Sequence, residues 1–496
     1  MWGHRFGGVS LVQSVLVLDG TSLTCGQVAA AARGQVRVEL AEDGRQRARA
    51  AAAVAARVSA RREVYGRTTG VGANRGFTVA TGDRADHGLR LLRSHAGGGG
   101  PLTAPELGLA MLTVRANQIA AGGSGVNPGV LDPLADCVNR RISPPVPAYG
   151  AIGTGDLTAL AVTALCLRGE REWLRAPARP PRFTLESADA LAFISSNAAT
   201  LGEAALACHD LAELLQAAMP VAAFSHLAVD ASTEPYAAPV HQARPHPGQQ
   251  AVAEAMRRLL AGHNGPAARI QDPYGYRAFP QVHGPAVDAV GSADQAITIE
   301  LNAAAENPLI DVVGETVWHN GNFHTAYVGL VLDAVRAAIF QAAALSAARL
   351  GTLVEPRFTG LAPFLATDPP PSSGIMMLEY VSHAAIADIR RLAAPAALGT
   401  AVLSRGVEEH AGFSTQSARA STDVVAAYQI VLACELIAAA RALRLRGIRP
   451  ASAPLAQAFD LTAGALPPET ADRPLDGDLA SADRLLPALA RLAATG

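Results

Sequence analysis

Two glycines flanking a threonine, Gly153-Thr154-Gly155, lie within the tract Gly150–Leu157 and could build an electrophile from the chain itself. With no side chain on either flank, the backbone can turn tightly enough for the Gly155 nitrogen to attack the Gly153 carbonyl and close a five-membered ring. Loss of water from that ring, and of the Thr154 hydroxyl, leaves an unsaturated acceptor. The alternative is a Gly-rich loop, capped by Asp156 ahead of an apolar helix from Leu157, with no covalent step. Other polar loops carry groups that could serve such chemistry. Tyr65 heads the glycine-rich tract Tyr65–Arg75, either with its hydroxyl facing a cavity or as a half-buried anchor. His95 precedes a run of glycines, as a reactive or a structural histidine. The tract Gln271–Arg277 holds Tyr274, Tyr276 and Arg277, whose planar guanidinium suits a carboxylate or a surface ion pair. Asn307 follows a helix end, Phe323 sits in the turn Asn320–His324, and Glu408-Glu409-His410 breaks the later helices. Those glutamates form a solvated helix end, or one turns inward toward a basic substrate group.

The bulk composition removes several classes of chemistry. No lysine occurs, so all 41 basic residues are arginine, which excludes a pyridoxal-phosphate Schiff base and a P-loop. The 13 histidines are dispersed and show no metal-ligand spacing, and no metal is expected. No serine-hydrolase elbow precedes a helix. A formal charge of −2 gives no reason to expect nucleic acid. No apolar run approaches the uninterrupted length of a membrane span, so no membrane is expected either. Cys25, Cys137, Cys166, Cys208 and Cys434 show no disulfide spacing, and the N-terminus lacks a basic start and cleavage site; a reducing cytoplasm fits.

At 496 residues, 50% of them hydrophobic and 17% charged, the chain can bury a large core. Its periodicity is helical from about Leu18 to Arg62, over 104–142, and in long Ala/Leu segments at 157–169, 186–219, 248–260, 284–305, 325–351, 379–397 and 417–446. Helices apolar on much of their circumference must bury themselves in a bundle or against other subunits. The expected fold is all-α, with loops carrying the polar chemistry. Its expected divisions are an extension at 1–17, a region at 18–200 with the Gly-Thr-Gly loop, a long-helix bundle at 201–448 and a helical tail at 449–496.

Taken in order, YGRTTGVG, RSHA, QDPYGYR with PQVHG, ENPLI, GNFH and FLATDPPPSSG make the chain resemble the aromatic amino acid lyase family, most closely its histidine-acting members. The resemblance runs from about Leu18 to about Ile448. It implies a helical homotetramer whose active sites combine loops from several subunits. It also implies a methylidene-imidazolone electrophile, made autocatalytically from Ala-Ser-Gly, that permits loss of ammonia and a β-proton from an amino acid. By motif, Tyr65 is then the base, Arg277 the carboxylate clamp, and Tyr274 and Gln271 lie beside the electrophile. Asn307 and Phe323 support and shield it. His95, Met376 and Glu408 occupy the positions that mark histidine-specific members, so an imidazole or similarly polar ring is the expected substrate group.

The departures from the family cluster at the electrophile. The loop is one residue shorter after Gly150, and Gly153-Thr154-Gly155 replaces Ala-Ser-Gly, so dehydration would give a more crowded ethylidene carbon. Ser195 stands where the family places an asparagine near the substrate amino group, with Asn197 two positions on. Ser372-Ser373-Gly374 replaces Asn-Ser-Gly, and Val407 replaces the glutamine before Glu408. The leading expectation is an ammonia-lyase giving an α,β-unsaturated acid. An aminomutase of the same family, or a ring-less binding homologue, are the alternatives.

Overall fold

The computed structural model describes residues 14–177, 179–263 and 265–495. Helices dominate, as the periodicity requires. Of the extension expected over 1–17, residues 1–13 lie outside the described residues, and Val15–Leu18 form a strand in parallel register with Arg37–Leu40. The helix expected from Leu18 to Arg62 is therefore two helices, Cys25–Ala32 and Glu42–Ser59, with that strand between them. Four residues of alternating burial are too short to register against the Ala/Arg-rich helical pattern on either side. Two further pairs of short strands, Gly99–Leu102 with Pro147–Tyr149 and Leu309–Asp311 with Thr316–Trp318, complete the sheet content among the described residues.

The chain divides into two compact units. The first comprises Met1–Leu206, Ile297–Ala326 and Leu398–Thr415. At its centre the helix Pro105–Ala121 is buried almost throughout, and its polar side chains tie loops to it. Arg115, fully buried, donates to the carbonyls of Phe193 (3.0 Å) and Ala192 (2.6 Å) and to Glu306 Oε1 (2.8 Å). Gln118 accepts from the Ser196 hydroxyl at 2.6 Å and donates to the Glu300 carbonyl at 3.2 Å. Buried polar groups need such partners, and these fix the segments carrying Ser195, Asn197 and Asn307. An apolar cluster of Ala51, Val54, Ala55, Val58 and Val64 packs on Ile310 and Val317 of the Leu309–Trp318 hairpin. That packing anchors Tyr65, next to Val64, and both ends of the hairpin, Asn307 and His319.

The second unit, Ala207–Ala296, Tyr327–Ala397 and Gln416–Gly496, holds most of the long helices. Among its deeply buried charges are the paired Arg349 and Glu435, 1% and 0% exposed. Glu435 accepts from Arg349 Nε (2.5 Å) and Nη2 (2.7 Å) and from the hydroxyls of Ser225 (2.7 Å) and Ser346 (2.5 Å). A carboxylate with four donors is a tolerable buried charge; either partner alone is not.

One expectation needs correction. Three segments, Ser187–Ala228, Ala326–Leu353 and Ser414–Arg446, are long and apolar enough by length and composition to cross a membrane, with mean hydropathy 1.2, 1.7 and 1.7. Scattered charges such as Asp333, Arg336 and Arg349 interrupt the apolar runs in sequence without lowering the windowed average. In the fold, the most apolar stretch of the first and third segments is 94% and 72% buried within the protein, but that of the second only 44%.

Two histidines of the second unit are buried neutral. His226, wholly inaccessible beside Tyr236, is pushed down to about 3 by burial. His283, stacked on Phe279 and donating from Nε2 to the Leu215 carbonyl at 3.0 Å, is pushed down to about 4, again mainly by burial. Unfolded histidines take up a proton near pH ~6.5 whereas these do not, so folding stability is intact above that pH and falls as the pH drops toward 4. Each contributes a slope of up to about 1.4 kcal/mol per pH unit in that window. Denaturant unfolding at pH 7.5 and 4.5 should show this loss, and His226→Leu should make it shallower. An unchanged slope in the variant would remove His226 from the account.

Candidate active site

The first unit encloses a cavity of about 1110 Å³ whose wall brings together Tyr65, His95, Thr154, Gly155, Ser195, Asn307, Phe323 and Glu408. Most come from loops widely separated in sequence, whereas His95, expected at the start of a loop, is the last residue of the helix Arg84–His95.

The Gly-Thr-Gly loop is held on both sides. Gly153 has φ +88° and Gly155 φ +117°, conformations that L side chains rarely adopt. A Cβ on Gly153 would lie 2.6 Å from Ser414 Oγ and 2.9 Å from its backbone nitrogen, so the loop as folded leaves no room for a side chain there. The Gly153 carbonyl accepts from Thr325 twice, from the backbone N–H at 3.2 Å and from the hydroxyl at 3.0 Å. The Gly155 N–H donates to Asn197 Oδ1 at 2.9 Å, while Asn197 Nδ2 donates to the Phe323 carbonyl at 2.7 Å. Asn197 is thus occupied at both ends by the loop and its neighbour. Asp156 differs from its expected role as helix cap: it makes no capping bond to Leu157–Arg168. Its buried carboxylate accepts instead from the Thr200 N–H (2.7 Å) and hydroxyl (2.9 Å).

Tyr65 accepts a hydrogen bond at its hydroxyl from the Gly72 N–H, 2.7 Å away, and its backbone N–H donates to His319 Nε2 at 3.2 Å. Burial pushes the phenol above its usual value, and the Glu408 charge pushes the same way. The Gly72 N–H and Arg75 oppose them by favouring the phenolate. Glu408 lies close to that loop: a Cβ on Gly72 would sit 3.3 Å from its Oε1. His95 Nδ1 is 2.9 Å from the Leu91 carbonyl, which can only accept, so Nδ1 is the donor in that contact. Ser195 accepts from the Asn307 N–H at 3.4 Å, and Asn307 Oδ1 accepts from the Asn320 N–H at 3.0 Å.

Four of the expected residues lie elsewhere. Gln271, Tyr274, Arg277 and Met376 belong to the second unit and do not line this cavity. The first three form a small cluster of their own: Arg277 donates to Gln271 Oε1, and its guanidinium lies 4.6 Å from the centroid of the Tyr274 ring, itself 68% exposed. Met376 immediately precedes the helix Met377–Leu392.

The cavity also holds groups that sequence reasoning did not select. Arg75, His319, His324 and His410 line it, and His324 Nε2 meets His410 Nδ1 at 2.9 Å. The two imidazoles are 86 positions apart, and only the fold could pair them. Thr325 and Ser414, hydroxyl residues at helix starts, gave no signal of their own.

The architecture and its relatives agree. The aromatic amino acid lyase profile matches residues 23–463. A histidine ammonia-lyase of Anaeromyxobacter sp. (strain K) is 35% identical over 500 residues, covering 95% of this chain and 98% of that protein. One from Streptomyces coelicolor is 35% identical over 491 residues, covering 94% and 96%. Among solved structures, histidine ammonia-lyase from Trypanosoma cruzi superposes with TM-score 0.88 at 27% identity, over 97% of this chain and 95% of that one. Tyrosine aminomutase from Streptomyces globisporus gives TM-score 0.90 at 28% identity, over 97% and 98%. The chain belongs to the aromatic amino acid lyase family and is a carbon–nitrogen lyase of the histidine ammonia-lyase type.

Proposed function

We propose that this lyase eliminates ammonia from L-histidine or a related aromatic amino acid, using an imidazolone ring built from Gly153-Thr154-Gly155. The observation that carries the reading is the loop itself. Both atoms that must join, the Gly153 carbonyl carbon and the Gly155 nitrogen, belong to peptide groups fixed by dedicated partners, at a cavity that also holds Tyr65, His95 and Glu408. Such a ring supplies an electrophile for the substrate; the remaining work falls to side chains. Tyr65 is the proposed base for the β-proton. Its phenol is disfavoured as an anion by burial and Glu408, and the Gly72 N–H and Arg75 offset part of that cost. Glu408 can accept from an imidazole N–H, and His95 Nε2 offers a second polar contact. A phenyl ring would leave both without a partner.

We extend the proposal to assembly. Gln271, Tyr274 and Arg277 complete the site from a neighbouring copy in a homotetramer, Arg277 taking the substrate carboxylate. Two features support this: their absence from the cavity wall, and a helix, Ala326–Leu353, that leaves Tyr327 and Leu330 76% and 60% exposed in the single chain. Five free, buried cysteines fit a cytoplasmic setting. An aminomutase outcome is the second reading, favoured by the likeness to the Streptomyces globisporus enzyme; accumulation of the unsaturated acid, without a β-amino acid, decides for the lyase.

The deciding experiment is the intact mass of the denatured protein with a peptide map over residues 143–172. A deficit of two waters on the Thr154 peptide is expected, followed by ammonia release from histidine; an unmodified peptide would remove the proposed mechanism. Tyr65→Phe should keep that deficit and the fold while lowering turnover by at least ~10²-fold. Turnover near the parent rate would take Tyr65 out of the base role. Glu408→Gln should raise KM for an imidazole substrate more than for a phenyl one, and an equal effect on both would sink the pocket assignment.

A further inference from the structure

The groups around the Gly153 carbonyl do more than hold a loop still. Thr325 presents two donors to one oxygen, its N–H at 3.2 Å and its hydroxyl at 3.0 Å. Both Thr325 and Ser414 are fully buried, and their hydroxyl oxygens are 2.6 Å apart. A hydroxyl has one proton. With the Thr325 proton directed at the carbonyl, the bond between the hydroxyls must be donated by Ser414, giving a chain in which each donor strengthens the next. On the opposite side of the loop, the Gly155 N–H points at Asn197 Oδ1, 2.9 Å away. Two donors aimed at a carbonyl oxygen, with an acceptor on the attacking N–H, form an oxyanion-hole arrangement for an addition between two groups of the same chain.

We infer that Thr325, oriented by Ser414, is the residue that drives closure of the Gly153-Thr154-Gly155 ring, acting on the maturation of the protein and not on its substrate. This rests on the ring proposed above. In the step, the Gly155 nitrogen bonds to the Gly153 carbonyl carbon, and negative charge builds on the oxygen facing Thr325. The Gly155 proton passes to that oxygen. The resulting hydroxyl leaves as the first water with the Thr154 N–H proton, forming a carbon–nitrogen double bond. The Thr154 hydroxyl leaves as the second water with its Cα proton, forming the exocyclic carbon–carbon double bond. Atoms balance without oxidant or metal. Thr325 favours the first addition because its donors bind the oxygen more strongly as an anion than as a carbonyl.

The test is a time course of intact and peptide mass after synthesis, with folding followed by circular dichroism and thermal melting. The parent protein is expected to lose two waters from the 143–172 peptide. Thr325→Val keeps the side chain's shape and loses the hydroxyl donor, and its dehydration should slow on the order of 10²-fold. Thr325→Ser should restore the parent rate, which a purely space-filling role for the threonine would not predict. Should Thr325→Val not fold, Ser414→Ala carries the test: it removes the donor to Thr325 and should also slow dehydration. Parent-like dehydration in a folded Thr325→Val, or in Ser414→Ala where that variant carries the test, overturns the assignment while leaving the ring intact. No dehydration in the parent protein overturns the ring, and this assignment with it.

Discussion

The site depends on a backbone that, as folded, has no room for a side chain at Gly153. At Gly153 the space for a Cβ is taken by Ser414 Oγ, 2.6 Å away, and the φ of +88° is one that L side chains rarely adopt. Much of the first unit keeps that segment in place. Arg115 and Gln118, on a buried helix, grip 192–196 and 300–306; those segments carry Ser195 and lead into Asn197 and Asn307. Asn197 in turn grips Gly155 on one side and the Phe323 carbonyl on the other. A chain of buried polar contacts runs from the core helix to the Gly-Thr-Gly loop. Such networks specify one arrangement because any lost partner leaves a desolvated group without compensation.

In the proposed reaction, the cavity's electrostatics set recognition against reactivity. Glu408, proposed to face an imidazole N–H, also pushes the Tyr65 phenol upward, against its ionisation. Arg75 and the Gly72 N–H act in the opposite sense from the same loop that Tyr65 heads. A glycine-rich tract next to the tyrosine therefore has an electrostatic use as well as a conformational one: it brings a backbone donor to the phenol oxygen without a side chain intervening.

Much of this was legible in the sequence, and the illegible part has a physical cause. The long helices could be read because their apolar periodicity extends over many turns. The strand Arg37–Leu40 could not, because four residues between two Ala-rich helices give no usable period. Tyr65, His95, Asn307, Phe323 and Glu408 stood out as polar or aromatic residues in glycine-broken loops, and the fold gathers them on one wall. Asp156 was misassigned because a carboxylate ahead of an apolar helix fits a cap equally well; Thr200, 44 positions on, takes it instead. Thr325 and Ser414 carried no signal, since a hydroxyl at a helix start is common and its function lies in what it faces.

Gly153 and Thr154 are physically linked in the proposed ring. The methyl group on Thr154 would make the finished exocyclic carbon more crowded than one derived from serine. The missing methyl on Gly153 has the opposite effect on the preceding step. It admits Ser414 against the loop, and Ser414 lies 2.6 Å from the hydroxyl that donates to the Gly153 carbonyl. A Cβ at 153 would press on Ser414, whose hydroxyl pairs with that of Thr325. The glycine therefore belongs with the hydroxyl pair as one arrangement, in which steric room beside the carbonyl is exchanged for polarisation of it.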